Sequence, residues 1–186
     1  MDDEKIVQLY WNRDEQAIPA TSEKYGAYCA SIARNILGNP EDAEECVNDT
    51  YMSAWNAMPP HRPGVLSAFL GKLTRNLSLN RYKYNSADRR GGGEIPAVLD
   101  EMAELVSDPG GVEQEMDRRE LVEEINAFLG KLSKDQRGIF VCRYWYFDPV
   151  YQIAARYGMT EIRVSVTLNR LRGKLRSHLL ERGFML

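Results

Sequence analysis

The sequence predicts an all-α protein with two small helical domains joined by an acidic linker, the C-terminal domain being a helix-turn-helix. Apolar residues recur at helical spacing along most of the 186 residues, and no segment alternates as a strand would. Basic residues concentrate in two blocks that an acidic segment separates. Glycine, proline and asparagine interrupt the helical pattern at points typical of helix ends.

The charge distribution along the chain divides it into four blocks. Residues 1–60 carry a net charge of −7, residues 61–93 of +6, residues 94–129 of −9 and residues 130–186 of +7, for a total of −3. Two basic blocks around an acidic one indicate two anion-binding surfaces joined by a segment that avoids anions. Solvated faces that cluster by chance explain the same pattern, so charge alone leaves both interpretations open.

Several functional classes are disfavoured by the composition. The three cysteines are far apart, no CxxC is present, and with only two histidines no zinc-ligand set can be drawn. The N-terminus has no signal-peptide core and no apolar run approaches about 18 residues, so we expect a cytoplasmic protein. Neither a nucleophile–base pair nor a phosphate-binding loop is visible, and we expect no catalysis and no cofactor.

Four helices are predicted in an N-terminal domain of residues 1–87. The first lies within residues 1–16, and the second spans residues 22–37 and stops at Gly38. The third starts at Asn39 and Pro40, an N-cap followed by a proline at the first helical position, and ends before Pro59. The fourth runs from Leu66 to about residue 84 on a leucine stripe.

The predicted linker comprises residues 88–117. Residues 87–94, ADRRGGGE, break the helical pattern, and eight acidic residues with no lysine or arginine lie between Glu94 and Asp117. One short induced helix is compatible with the apolar residues Ile95, Val98, Leu99 and Met102. Helical periodicity resumes at about Arg118.

The C-terminal domain, residues 118–186, contains the helix-turn-helix pattern. One helix is predicted from about Ser133 to residue 146, and a second follows Asp148 and Pro149, taken as its N-cap and first residue. A turn at Gly158–Thr160 precedes a longer basic helix with apolar residues at 164, 168, 171, 175 and 179. An ordinary helical hairpin with a basic surface is the alternative.

The last helix carries the residues predicted to contact duplex DNA. Side chains near its start reach base edges in the major groove, and later cations suit phosphates. The predicted contacts are Thr160, Glu161, Arg163, Ser165, Thr167, Arg170, Arg172 and Lys174.

Two further surfaces are predicted in the N-terminal domain. Asp42, Glu45 and Asp49 share one face of the third helix and suit a basic protein partner, although a merely soluble face would look the same. The fourth helix interleaves cations and amides with aromatic residues, as single-stranded or melted DNA requires, although a basic helix with core tyrosines is an equal alternative. Its predicted contacts are Lys72, Arg75, Asn76, Asn80, Arg81 and Lys83.

The order of these features resembles bacterial RNA polymerase sigma factors of the sigma-70 family, and the absence of further domains resembles the extracytoplasmic-function group. The resemblance covers residues 5–182 and is carried by DAEECVNDTYMSAW and LTRNLSLNR in combination. Family members usually carry an acid where Asn80 stands and a basic residue near Ser165 or Thr167, and this sequence departs from both patterns.

The resemblance implies a division of labour along the chain. Asp42, Glu45 and Asp49 would bind a coiled coil of the largest polymerase subunit, and residues 58–84 would capture and melt the −10 promoter element. The helix-turn-helix would read the −35 element, and the linker would thread the polymerase RNA channel. The implied partners are core polymerase and promoter DNA, and the resemblance admits an anti-sigma factor.

Two other functional classes remain at this point. A stand-alone helix-turn-helix transcriptional regulator would dimerise and bind DNA without polymerase, which the acidic helix and long tether disfavour. An interaction protein that binds polymerase but not promoters is disfavoured by the basic block at residues 61–93.

Overall fold

The structure, a computed structural model, describes residues 1–86, 97–98, 101–102 and 114–184, and within those ranges every regular element is a helix. This confirms the all-α class. The chain divides into two compact units, Met1–Glu94 and Ile95–Leu186. None of the described helices has the length and apolarity needed to cross a membrane.

The N-terminal unit contains helices α1 (Asp3–Trp11), α2 (Ala17–Leu37), α3 (Pro40–Ala57) and α4 (Leu66–Ser86). Helix α2 packs against both α3 and α4, and α1 packs on α2. The largest side chains with almost no exposed surface in this core are Ile6, Tyr10, Ile32, Ile36, Met58, Leu66 and Leu70. The burial of these apolar side chains is the main contribution to the stability of the unit.

The predicted boundaries in this unit are largely confirmed. Gly38 adopts a left-handed conformation with φ of 66° and ends α2. The side chain of Asn39 accepts a hydrogen bond from the backbone N–H of Glu41 at 2.9 Å and so caps α3. Helix α2 begins at Ala17, five residues before the predicted start, because Pro19 falls in its first turn, where no backbone donor is required.

The C-terminal unit contains α5 (Gln114–Lys131), α6 (Lys134–Tyr144), α7 (Val150–Tyr157) and α8 (Glu161–Glu181), and residues 97–98 and 101–102 are also helical. Helix α6 starts next to Ser133, where the sequence predicts its start, and the Ser133 side chain caps it. The predicted apolar stripe of α8 is buried throughout and supplies Val164, Leu168, Leu171, Leu175 and Leu179 to the core. The predicted breaker at residues 87–94 and most of the predicted linker lie outside the described residues.

The predicted start of α7 is wrong by one position. Pro149 is the N-cap with an extended backbone, and the helix begins at Val150. The carboxylate of Asp148 does not cap the helix, because it is buried and accepts a hydrogen bond from Arg156 at 2.9 Å. An ion pair with a residue of the same helix, eight positions further along the chain, therefore replaces the cap.

Gly138 of α6 lies where the phenol of Tyr157 packs, and a Cβ built there would be 1.9 Å from the Tyr157 hydroxyl oxygen. We expect Gly138→Ala to lower the free energy of unfolding by about 1 kcal/mol, because overpacking of about 2 kcal/mol outweighs the helix-propensity gain of about 1 kcal/mol. Gly173→Ala in α8, where the Cβ meets nothing within 4 Å, should stabilise instead. Thermal melts of both variants test this, and a shift of the same sign in both would contradict it.

Candidate functional site

The N-terminal end of α8 is positioned by the turn that precedes it. Gly158 adopts a left-handed conformation with φ of 61°, and the Thr160 hydroxyl accepts a hydrogen bond from the backbone N–H of Arg163 at 3.2 Å. Ile153 and Ala154 of α7 are buried in one cluster with Val164 and Leu168 of α8. The small side chain of Ala154 lets the two helices pack closely, as a helix-turn-helix requires.

Six of the eight residues predicted to contact DNA on or just before α8 are exposed, namely Thr160, Glu161, Arg163, Ser165, Arg170 and Lys174. The other two are engaged within the unit. Thr167 is half-buried and donates its hydroxyl to the carbonyl oxygen of Arg163 at 2.8 Å. Arg172 is also half-buried, with 14% of its side chain exposed, and donates to acceptors of the same unit.

The partners of Arg172 belong to a cluster that sequence analysis did not predict, the Glu101 cluster of Glu101, Arg143, Tyr144 and Arg172. The carboxylate of Glu101 accepts hydrogen bonds from Arg143 at 2.6 and 3.1 Å, from the Tyr144 hydroxyl at 2.9 Å and from Arg172 at 3.4 Å. Arg172 also donates to the Tyr144 hydroxyl at 2.9 Å. Glu101 thus forms ion pairs with two arginines that follow it by 42 and 71 residues.

Apolar contacts hold the same segment on the C-terminal unit. Val98 is buried, with 3% of its surface exposed. Met102 packs against the cluster that Phe128, Phe140 and Leu171 form with other core residues. Met102 and the Glu101 carboxylate therefore attach this segment of the predicted linker to the helix-turn-helix unit, whereas residues 114–117 of the predicted linker already belong to α5.

Burial raises the pKa of the Tyr144 phenol from its ordinary 10.0 to about 12, against the opposing effect of the hydrogen bond from Arg172. Because the folded-state pKa is the higher one, the stabilisation is fully present below about pH 10 and is lost as the pH rises through about 12. As the pH rises from about 10 to about 12, we expect the free energy of unfolding of Tyr144→Phe to fall less than that of the unmodified chain. Urea unfolding at about pH 9 and about pH 11 measures this. The exposed Tyr151→Phe is the control, and equal alkaline losses in all three proteins would contradict it.

Helix α4 presents the predicted polar face to solvent. Lys72, Asn76, Asn80 and Lys83 are all exposed, at the helical spacing that the sequence indicates. Arg75 is half-buried, and this burial lowers the pKa of its guanidinium. The opposite side of α4 is buried through Leu66, Leu70, Thr74 and Ser78, so the exposed face is fixed in orientation by the core.

The acidic face of α3 meets α4 at Arg81. A guanidinium nitrogen of Arg81 lies 3.4 Å from the Asp42 carboxylate and also donates a hydrogen bond to Glu45. This hydrogen bond lowers the pKa of Glu45. Asn85 donates to Asp42 at 3.1 Å, whereas Asp49 is exposed.

The two predicted N-terminal surfaces are therefore adjacent rather than separate. The spacing of Asp42, Glu45 and Asp49 predicted their common face but not that Arg81, 36 residues after Glu45, pairs with two of them. Among the described residues, no group of three or more His, Cys, Asp or Glu side chains is arranged to hold a metal ion.

Comparison with known proteins places a family model on part of the chain. Sigma-70 region 2 matches residues 22–87, which include α2, α3 and α4. The chain is 26% identical over 167 residues to the RNA polymerase sigma factor CnrH of Cupriavidus metallidurans, covering 87% of this chain and 86% of that protein. It is 27% identical over 180 residues to the RNA polymerase sigma factor NccH of Alcaligenes xylosoxydans xylosoxydans, covering 93% and 92%.

The chain is also similar to a third sigma factor and to a solved structure. The ECF RNA polymerase sigma factor SigE of Mycolicibacterium smegmatis is 23% identical over 169 residues, covering 89% of this chain and 64% of that protein. The structure of CnrH in complex with the cytosolic domain of CnrY aligns with 98% of this chain at 21% identity and a TM-score of 0.45. That score is too low to support an argument about arrangement.

Proposed function

We propose that this chain, whose residues 22–87 match sigma-70 region 2, is a sigma factor of the extracytoplasmic-function group and acts as the promoter-specificity subunit of a bacterial RNA polymerase. In this proposal it has no catalysis of its own: it directs core polymerase to promoter DNA and opens the duplex there. It acts in the cytoplasm, where polymerase and promoters are found. Restraint by an anti-sigma factor stays a prediction from the resemblance.

The observation that carries the proposal is the match of sigma-70 region 2 to residues 22–87. Those residues include both N-terminal candidate surfaces, the acids of α3 and the exposed polar face of α4. We assign core-polymerase binding to Asp42, Glu45 and Asp49. We assign capture of the −10 element to α4, through Lys72, Arg75, Asn76, Asn80, Arg81 and Lys83.

The C-terminal unit is assigned the −35 element. The support is a helix-turn-helix whose last helix begins with a capped, exposed turn and carries exposed cations. In this assignment residues 1–87 form the polymerase-binding and −10 domain, residues 88–117 the linker and residues 118–186 the −35 domain. Arg163 and Ser165 contact bases, and Arg170 and Lys174 contact phosphates.

Run-off transcription tests the function directly. Core polymerase with the purified chain should initiate at discrete sites on fragmented genomic DNA of the source bacterium, and core polymerase alone should not. A chain that binds such fragments specifically without polymerase, and does not change where polymerase starts, would instead be a stand-alone regulator.

We expect alanine at Lys72, Asn76, Asn80 and Lys83 together to reduce promoter opening more than initial closed binding. The reason is that exposed cations and amides on one face suit an unpaired strand, whose phosphates and base edges are both accessible. Permanganate reactivity of promoter thymines reports opening, and a gel shift at low temperature reports closed binding. Equal losses in the two assays would indicate simple phosphate contact.

A further inference from the structure

We propose that two exposed aliphatic side chains of α8, Ile162 and Val166, contact the C5-methyl groups of thymines in the major groove and so select A·T pairs in the −35 element. This inference rests on the proposed function, because it names base-reading residues within the surface assigned to the −35 element. Neither residue is among the DNA contacts predicted from sequence, which are all polar or charged.

The exposure of these two residues sets them apart from the other aliphatic residues in the first three turns of α8. Ile162 has 77% of its surface exposed and Val166 has 42%. By contrast, Val164, Leu168 and Leu171 are at most 2% exposed. Single exposed aliphatic residues are common on protein surfaces and need no explanation. Here two of them are one helical turn apart and form a small continuous patch.

The position of the patch is where a recognition helix meets bases. Helix α8 begins at Glu161, so Ile162 and Val166 lie in its first two turns. These are the turns that enter the major groove in a helix-turn-helix. The spacing of the two residues places them on the side of the helix opposite the buried stripe through Val164, Leu168 and Leu171. Both side chains therefore lie at the centre of the exposed face of α8. The exposed residues Ser165 and Asn169 lie beside them.

Charge around the patch favours DNA over a protein as its occupant. Arg163, Arg170 and Lys174 are exposed on the same helix. Phosphate groups on both sides of a major groove would be attracted to such cations. Two aliphatic side chains are also too small an apolar area for a stable protein interface, which buries about 800 Å² on each partner.

The chemistry of the groove then identifies the contacted group. An aliphatic side chain makes no hydrogen bonds to base edges, and the apolar group that the major groove presents is the thymine methyl. Of the polar residues predicted to read bases, Thr167 already donates its hydroxyl to the Arg163 carbonyl. Direct selection in the first turns is therefore shared between polar contacts, such as Ser165, and the aliphatic pair.

Deoxyuridine substitution tests this inference, because it removes the thymine methyl and keeps Watson–Crick pairing. The full chain with core polymerase selects a promoter from a randomised duplex library. Each thymine of its −35 region is then replaced singly by deoxyuridine. For the unmodified chain we expect about fourfold weaker binding at one or two positions, as loss of one buried methyl-sized group implies.

Alanine variants link that loss to the two side chains. Ile162→Ala and Val166→Ala should each bind thymine and deoxyuridine equally at one of the sensitive positions. Leu180→Ala is the matched control, because Leu180 is an aliphatic residue of the same helix, 45% exposed, in its last turn. The Leu180→Ala variant should still discriminate thymine from deoxyuridine as strongly as the unmodified chain does. Thermal melts of all three variants should stay close to that of the unmodified chain, since each truncated residue is at least 42% exposed.

Four results would overturn the inference. A selected promoter whose binding is insensitive to deoxyuridine at every −35 thymine would remove the methyl contact while leaving the proposed function intact. Unchanged discrimination in both alanine variants would place the methyl contact elsewhere. Weaker binding to core polymerase with unchanged base discrimination would make the patch a protein contact. A library from which no sequence is enriched would overturn the proposed function, and this inference with it.

Discussion

Replacing Glu101 with alanine should lower the local stability of the C-terminal unit by about 3 kcal/mol, the lower end of the cost of removing one partner of a buried ion pair. The Arg143 side chain is 3% exposed and would lose the carboxylate that accepts two of its hydrogen bonds. Arg172 and the Tyr144 hydroxyl would lose the same acceptor. We expect the lower end of this range of cost because 25% of the Glu101 side chain is exposed, so that water can partly replace the lost carboxylate.

Hydrogen exchange of α6 and α8 in the full chain measures this loss without requiring the two units to unfold together. The Glu101→Gln variant should lose less local stability than Glu101→Ala. Its amide oxygen still accepts hydrogen bonds, although the charge is removed. Glu123→Ala is the control, because Glu123 is an exposed acid of α5 in the same unit. Unchanged exchange in Glu101→Ala, or an equal change in Glu123→Ala, would show that the cluster does not stabilise the unit.

Charge reversal at Asp49 should weaken core-polymerase binding by about tenfold, which corresponds to about 1.5 kcal/mol for loss of one close charge pair at an interface. Asp49 is the clean position for this test because it is exposed, whereas Asp42 and Glu45 contact Arg81. A reversal at either of those two would also place like charges together across α3 and α4. Its effect on binding would then be mixed with an effect on the fold.

Glu44→Lys provides the matched control for Asp49→Lys. Glu44 is an exposed acid of the same helix, but its spacing places it on the flank away from Asp42 and Asp49. Both variants change the net charge equally, so a general electrostatic effect would weaken both. Binding to core polymerase, measured by titration of a fluorescently labelled chain, should fall for Asp49→Lys alone. Equal affinities of the two variants would show that Asp49 makes no specific contact with core polymerase.

The features that sequence analysis predicted correctly are local ones. The caps at Asn39 and Thr160 involve a side chain and a backbone N–H two or three residues later, so the residue type at one position is sufficient. The stripe of α8 is correct for the same reason, because helical spacing alone determines which side chains share a face.

The features that it missed depend on contacts between distant parts of the chain. Nothing in the spacing around Asp148 indicates that Arg156 will take its carboxylate, and the predicted cap at that position was wrong. The same holds for Arg81 with Glu45 and for Arg172 with Glu101, which are 36 and 71 residues apart. Both arginines are predicted DNA contacts, and the sequence does not indicate the carboxylates with which they pair in this structure.

If Arg172 contacts DNA, as the sequence predicts, it has two alternative anionic acceptors, the Glu101 carboxylate of its own unit and a DNA phosphate. An Arg172 that turns outward to a DNA phosphate gives up Glu101 and the Tyr144 hydroxyl. The free energies of DNA binding and of holding residues 101–102 on the helix-turn-helix unit are then coupled. Such coupling is reciprocal: by whatever factor a bound phosphate loosens that segment, pulling the segment away strengthens phosphate binding by the same factor. Couplings of this kind are worth about 1 to 3 kcal/mol, or about 5- to 150-fold in affinity. A force that pulls the Glu101 segment away, or a ligand that competes for it, would therefore raise the affinity of α8 for nucleic acid.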